Sequence, residues 1–167
     1  MNKKSGFTLI EVLTVIMIIA ILASIILVSL DTARERARDV TIQNQVGQLR
    51  SLAEALYTFE NHYDELAAAK TGAGEASPEG EALKYKRIMD EVSDMGSEGG
   101  LVTNFSTGNR SYCSYAQLVR NDENAFCVDS TGNAVTGLLT EIAASCGGDD
   151  ALCEGGTTTE PEPEPEP

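Results

Sequence analysis

The chain has 167 residues, with 26 Asp and Glu against 12 Lys and Arg, a formal net charge of −14 and one His. Phosphate backbones need cationic partners, so this balance argues against nucleic-acid binding as the main role, and the length leaves room for about one small domain. No nucleophile sits beside a base, no metal triad recurs and no phosphate loop is present, so catalysis is not expected.

A short basic leader, Lys3 and Lys4, precedes 24 residues from Phe7 to Leu30 with one charge, Glu11, and neither Pro nor Gly. As a helix this run is roughly 36 Å long, enough to cross a hydrocarbon core of ~30 Å. A carboxylate near the bilayer centre costs on the order of 2.5–3.5 kcal/mol, less towards the interface, so Glu11 needs a partner. A cut after Gly6 would create one: the new amine of Phe7 lies one helical turn from Glu11. The pair closes either within one helix or between neighbouring helices with an axial stagger, and the second arrangement makes the acid a register code. A secretory signal has an apolar run of about 7–15 residues and an A-x-A-like site. Here the run is longer and offers only the imperfect Ala20-Ile21-Leu22-Ala23-Ser24. A plain anchor has no use for Glu11.

Lys3-Lys4-Ser5-Gly6 followed by Phe7-Thr8-Leu9-Ile10-Glu11-Val12-Leu13 resembles the prepilin signature of type IV pilins and of the pseudopilins of type II secretion systems. The resemblance implies that a membrane-embedded prepilin peptidase cuts at Gly6-Phe7 and N-methylates Phe7, and that Glu11 guides subunits into a helical filament. It further implies self-association, an assembly platform and a motor ATPase as partners. The subunit would be stored as a single-pass protein of the cytoplasmic membrane, its domain outside the cytoplasm. The likeness covers Met1 to about Leu30, extends to about Leu66 and fades beyond. Many members kink this helix with a Pro, whereas this chain has none before Pro78. Counting Lys3 and Lys4 against Arg34, Arg36 and Arg38 would place the domain inside; the cysteines and the resemblance place it outside.

Beyond Leu30 the rod is expected to continue to about residue 70, with Ile42, Val46, Leu49, Ala53, Leu56, Tyr63 and Leu66 forming its apolar stripe. Asp31, Glu35 and Asp39 interleave with Arg34, Arg36 and Arg38 at spacings that suit i,i+3 and i,i+4 pairs. That band serves either solubility or contacts between subunits. His62, beside Tyr63, reads as a packing residue. Ala67 to Lys70 before Gly72 and Gly74 reads as a helix end, and Gly74 to Gly80 as a loop. Glu81 to Met95 is a short helix with Leu83, Ile88, Val92 and Met95 on one side, and its Lys84-Lys86-Arg87 cluster reads as a solvated face.

Leu101–Phe105, Ser111–Val119 and Ala125–Asp129 read as strands. The tetrads Ser106-Thr107-Gly108-Asn109 and Ser130-Thr131-Gly132-Asn133 read as reverse turns. An antiparallel meander of three or four strands follows. The fold class is α+β: a long N-terminal α-helix, transmembrane in 7–30 and amphipathic in 31–70, packed on a small antiparallel β-sheet. A leader (1–6), a globular head (71–154) and an acidic Glu-Pro tail (155–167) complete the division.

Cys113, Cys127, Cys146 and Cys153 all fall in the last third, the usage of a small domain outside the reducing cytoplasm, and disulfides are favoured over zinc because no C-x-x-C pair occurs. Proximity favours Cys113 with Cys127 and Cys146 with Cys153. A hairpin turn at 120–124 would nevertheless set Cys113 opposite about residue 131. No cofactor is expected. Asp129, Asn133, Asp149, Asp150 and Glu154 offer oxygens that suit calcium, and the resemblance adds that some pseudopilins bind calcium in this part of the fold. They do not form an EF-hand loop, and turn formation is the simpler account. The sequons at Asn104 and Asn109 are unspecific. Glu160 to Pro167 is four Glu-Pro repeats, extended and solvated by composition.

The reading is a structural subunit of a type IV pilus-like filament. The alternatives are a pseudopilin of a type II secretion system and, from another class, a membrane-tethered binding domain that never polymerises.

Overall fold

The structure, a computed structural model, describes residues 7–57, 62–71, 81–154 and 156–157. One helix dominates it. Helix α1 runs from Leu9 to Leu56, 48 residues without a break, as the absence of Pro allows. Its stripe Ile42, Val46, Leu49, Ala53 and Leu56 is buried, at exposures of 0–5%. These side chains recur every three or four residues, so they share one face.

The expected rod to residue 70 is corrected here. Tyr57 closes α1 in an extended conformation, φ −64° and ψ 118°. A separate helix, α2, runs from Asp64 to Thr71. The reason is local and tertiary together: the aromatic and β-branched side chains around Tyr57 favour helix weakly, and the Tyr63 amide donates instead to the Asn109 carbonyl, 2.7 Å. His62 therefore lies in the connection, half-buried, and not in the long helix. Tyr63 and Leu66 still reach the core, but from the second segment.

Helix α3 spans Glu81–Asp94. Its buried stripe is Tyr85, Ile88 and Val92, while Leu83 is 64% exposed. Leu83 was expected inward; the helix is rotated so that the Tyr85 hydroxyl can donate to Thr103 Oγ1, 3.0 Å away. Ser114 Oγ donates to the same oxygen at 2.9 Å. The buried hydroxyls thus partner each other, as the interior requires.

Four strands follow as an antiparallel meander, β1 (Leu101–Phe105), β2 (Tyr112–Gln117), β3 (Asn124–Asp129) and β4 (Ala134–Leu138), with the two-residue β5 (Gly156–Thr157) beside β4. Both turn tetrads behave as expected: Gly108, Asn109 and Gly132 adopt positive φ of 80°, 52° and 104°. At Gly132 a Cβ would also lie 2.8 Å from the Arg50 guanidinium. Alternation sends Tyr112, Ala116 and Val128 towards α1 and Cys113, Ala125 and Cys127 to the other face. That second face is covered by α4 (Leu139–Cys146), a stretch to which the sequence reading assigned no element. Residues 139–146 lack Gly and Pro, and Gly147-Gly148 stops them, which is a local helix signal.

Two polar ties fix the sheet on the rod, and Gln45 Nε2 also donates to the Glu91 carboxylate of α3. Asp39 accepts from the Val119 amide at 2.6 Å and the Arg120 amide at 3.3 Å, in the β2–β3 turn. Arg50 Nη1 donates to the Gly132 carbonyl, in the β3–β4 turn, at 3.0 Å. These contacts set the strands along the rod, with the β2–β3 turn at the foot of the head, nearest the apolar half of α1. On the open edge of the sheet, Lys70 Nζ donates to the Thr103 carbonyl and so blunts strand β1.

The rotated α3 makes a test. Ile88→Ala should lower head stability by about 2–5 kcal/mol, the range for a buried large-to-small change, whereas Leu83→Ala should change it by less than about 0.5 kcal/mol. Urea unfolding of the two variants, followed by circular dichroism, distinguishes this rotation from one with Leu83 inward.

Candidate functional site

At the start of α1, Thr8 is extended (φ −82°, ψ 148°) and caps the helix. The Glu11 amide donates to Thr8 Oγ1 at 3.4 Å. In return Glu11 Oε2 accepts from the Thr8 amide at 2.9 Å and the Thr8 hydroxyl at 2.7 Å. This is a capping box, T-x-x-E, and its spacing was legible in Thr8-Leu9-Ile10-Glu11. Thr8 is thus a partner of Glu11 that the charge argument missed. Phe7, 83% exposed, stands just before it. Gly6 and the leader lie outside the described residues.

From Leu9 to Thr41 the helix projects about 50 Å beyond the first fully buried residue of the stripe, Ile42. Its large apolar side chains up to Leu27 are all at least 50% exposed. The hydroxyls of Thr14 and Ser24 donate back to the carbonyls of Glu11 and Ile21, so each finds its acceptor inside the helix. This segment is long and apolar enough to cross a membrane. A helix apolar on every side requires lipid or other helices around it.

The charged band just above is not self-paired. Among the described residues, Arg34, Arg36 and Arg38 form no ion pair with Asp31 or Glu35. Asp39 departs from the band altogether, since both its oxygens accept from the β2–β3 turn.

On the far face of the sheet the cysteines pair as Cys113–Cys146 and Cys127–Cys153, with Cα separations of 5.7 and 5.9 Å. This corrects the pairing by proximity. Cys113 lies opposite Asp129 in the β2–β3 register, two residues past Cys127. The bonds instead run outward from the sheet, one to α4 and one to the loop after it. The Sγ atoms of Cys113, Cys127 and Cys146 lie within 4.8 Å of one another. Together with Ile142 and Val135 they form a second, small core.

Asp129 is fully buried beside that core. Its Oδ1 accepts from the Thr131 amide and hydroxyl and the Asn133 amide; its Oδ2 accepts from Asn133 Nδ2 and the Cys153 amide, all at 2.7–3.1 Å. Burial pushes this carboxyl up, but the hydrogen bonds from Cys153, Thr131 and Asn133 outweigh it and hold the group below the ordinary Asp value. Asp149 and Asp150 are exposed, and the Asp150 carbonyl accepts from Ser111 Oγ at 2.5 Å. Asp129 therefore works as the clamp that joins the β3–β4 turn to the loop after α4.

A group whose pKa is lowered by folding stabilises the fold above its unfolded pKa and loses that contribution as pH falls through the folded value. Urea midpoints measured from pH 7 to pH 2 should drop below about pH 4, and Asp129→Asn should flatten that drop while costing about 1.5–3 kcal/mol at pH 7. Proteolysis without reduction followed by mass spectrometry should yield the linked fragments 113–146 and 127–153, with no 113–127 fragment. Removing either bond by paired Cys→Ser changes should cost about 2–5 kcal/mol.

The prokaryotic N-terminal methylation motif matches residues 1–27. The chain is 38% identical over 74 residues to the type IV wide pilus major component PilA4 of Thermus thermophilus. That match covers 44% of this chain and 56% of the relative, so the chain spans little more than half the length of the curated protein it matches. No solved structure gives a significant match. The chain carries the N-terminal methylation motif at the head of its exposed apolar helix, and over 74 residues it is similar to a type IV pilus major component.

Proposed function

We propose that this chain is a structural subunit of a type IV pilus-like filament, cut between Gly6 and Phe7, methylated at Phe7 and assembled through α1. The observation that carries the reading is the apolar half of α1: among the described residues it projects from the head without a packing partner, and it bears a single acid at its tip. Two surroundings satisfy such a surface. In the membrane, lipid covers residues 7–30 as a single span, and the head stands outside the cytoplasm. In a filament, the same residues pack on copies of themselves. Moving between the two gains little hydrophobic free energy, because lipid tails are as apolar as Leu. The sequence has no phosphate-loop motif for nucleotide, so extraction falls to an assembly platform and a motor ATPase.

Glu11 makes the packing specific. Before the cut, the Thr8 box supplies hydrogen bonds to its carboxylate, but no counter-charge. After it, the Phe7 amine is a cation one turn away. A helix whose neighbour supplies that amine is favoured over one in another register, because an unpaired charge in an apolar core is costly. The similarity to a pilus component favours a pilus over a secretion pseudopilus. The four cysteines serve as disulfides in the oxidising space that the head enters.

Mass spectrometry of the native protein should find a chain beginning at N-methylated Phe7. Glu11→Ala should leave membrane insertion intact and reduce filaments, counted by electron microscopy, at least tenfold. Normal filaments from that variant, or a native chain that retains residues 1–6, would overturn the proposal.

A further inference from the structure

At the foot of the head, α1 and the β2–β3 turn enclose a cleft of about 690 Å³, lined by Arg36, Asp39, Val40 and Gln43 on one side and Leu118, Arg120, Asn121 and Asn124 on the other. Asp39 is the only acid among these residues, and its two oxygens are occupied by the Val119 and Arg120 amides. Among the described residues, neither the Arg36 nor the Arg120 guanidinium has an ion pair or hydrogen bond. Asp122 and Glu123 belong to the same turn but do not line the cleft. The cleft is therefore rich in donors, two guanidiniums and three carboxamides, over an apolar floor that includes Val40, 55% exposed.

Such a cleft suits a chain with negative charge, many acceptors and few donors. The Glu-Pro repeat has that chemistry. Each Glu brings a carboxylate for an Arg fork, and each Pro keeps its carbonyl but has no amide hydrogen. Its ring is an apolar surface for Val40 and Leu118. Resting on the subunit reading above, we propose that Glu160–Pro167 of one copy docks in the Arg36/Arg120 cleft of the next copy along the filament.

The course of the chain says why a second copy and not the same one. Strand β4 descends towards the foot, where the Leu139 amide donates to the Glu123 carbonyl. Strand β5 pairs Gly156 with Gly137 and Thr157 with Thr136, so it runs back up, away from the foot. The chain leaves Thr157 heading from its own cleft. The sequence continues for ten residues past Thr157, a length that at a polyproline rise of ~3.1 Å per residue would reach about 31 Å. In parallel copies, the next head presents its foot in that direction. Such a contact joins two different patches of the chain, so it does not close on itself and propagates along an open assembly.

The test uses a fluorescent peptide with the sequence of Glu160–Pro167 and the full chain in detergent micelles, its own Glu160, Glu162, Glu164 and Glu166 changed to Gln. Anisotropy should show saturable binding in 50 mM salt that weakens at least tenfold in 0.5 M salt and in R36Q/R120Q. In assembly, the four Glu→Gln changes should lower filament yield several-fold with cleavage after Gly6 unaffected. Joint R36E/R120E and four Glu→Lys changes should restore it. Absence of peptide binding at millimolar concentration overturns the proposal, as does displacement of the peptide by an equal concentration of inorganic phosphate, which marks a general anion site. Should the parent chain form no filaments, the subunit reading fails by itself, and the titration still decides the cleft.

Discussion

The packing of one short stripe, Ile42 to Leu56, against the sheet is the contact on which the rest of the molecule depends. Helix α1 must satisfy two surroundings with one continuous backbone. Its upper part is the floor of the head's core, whereas its lower part has no packing partner among the described residues. An isolated helix gains little stability from propensity, so the buried upper stripe is what orients the exposed lower one. Any loosening of this stripe would change the angle at which the apolar half leaves the head. The Asp39 and Arg50 ties matter for the same reason: they hold the two ends of the sheet at fixed heights on the rod, about 16 Å apart by helical rise.

The sheet has two cores of unlike kind. Towards α1 the core is made by large side chains from three helices and the strands. On the other face it is small and depends on two disulfides around Ile142. A domain of this size buries limited apolar surface, and covalent links supply what a thin layer of side chains cannot. Asp129 completes that side by polar means, tying the β3–β4 turn to the Cys153 loop through a buried carboxylate with five hydrogen bonds. The outer layer is thereby held without a large hydrophobic contact, which leaves α4 and the loop after it as an acidic, solvent-facing surface.

The distribution of charge follows the same division. The apolar half has one acid, satisfied locally by Thr8. The band above it has charges of both signs that remain unpaired within the described chain, and the foot of the head adds Arg120 to them. After Arg120 there are only acids. The foot therefore mixes both signs, with Arg34, Arg36, Arg38 and Arg120 beside Asp31, Glu35, Asp39, Asp122 and Glu123, whereas the outer side formed by α4 and the loop after it has acids and neither Lys nor Arg.

Local chemistry made much of this legible without coordinates. The length and apolarity of residues 7–30, the helical spacing of Ile42 to Leu56, the strand β1 and both Gly-Asn turns were all readable, because each follows from a few neighbouring residues. What remained hidden depends on which surfaces meet. Disulfide partners follow from the register of β2 and β3 and from where α4 lies, not from distance along the chain. The end of α1 at Leu56 depends on an Asn109 carbonyl 46 residues beyond Tyr63, the inward turn of Tyr85 on a hydroxyl in β1, and the capture of Asp39 on a turn some 80 residues away. Sequence determined the elements and the surface that must be covered; tertiary structure alone decided their ends, rotations and cross-links, because those are properties of pairs of surfaces brought together from distant parts of the chain.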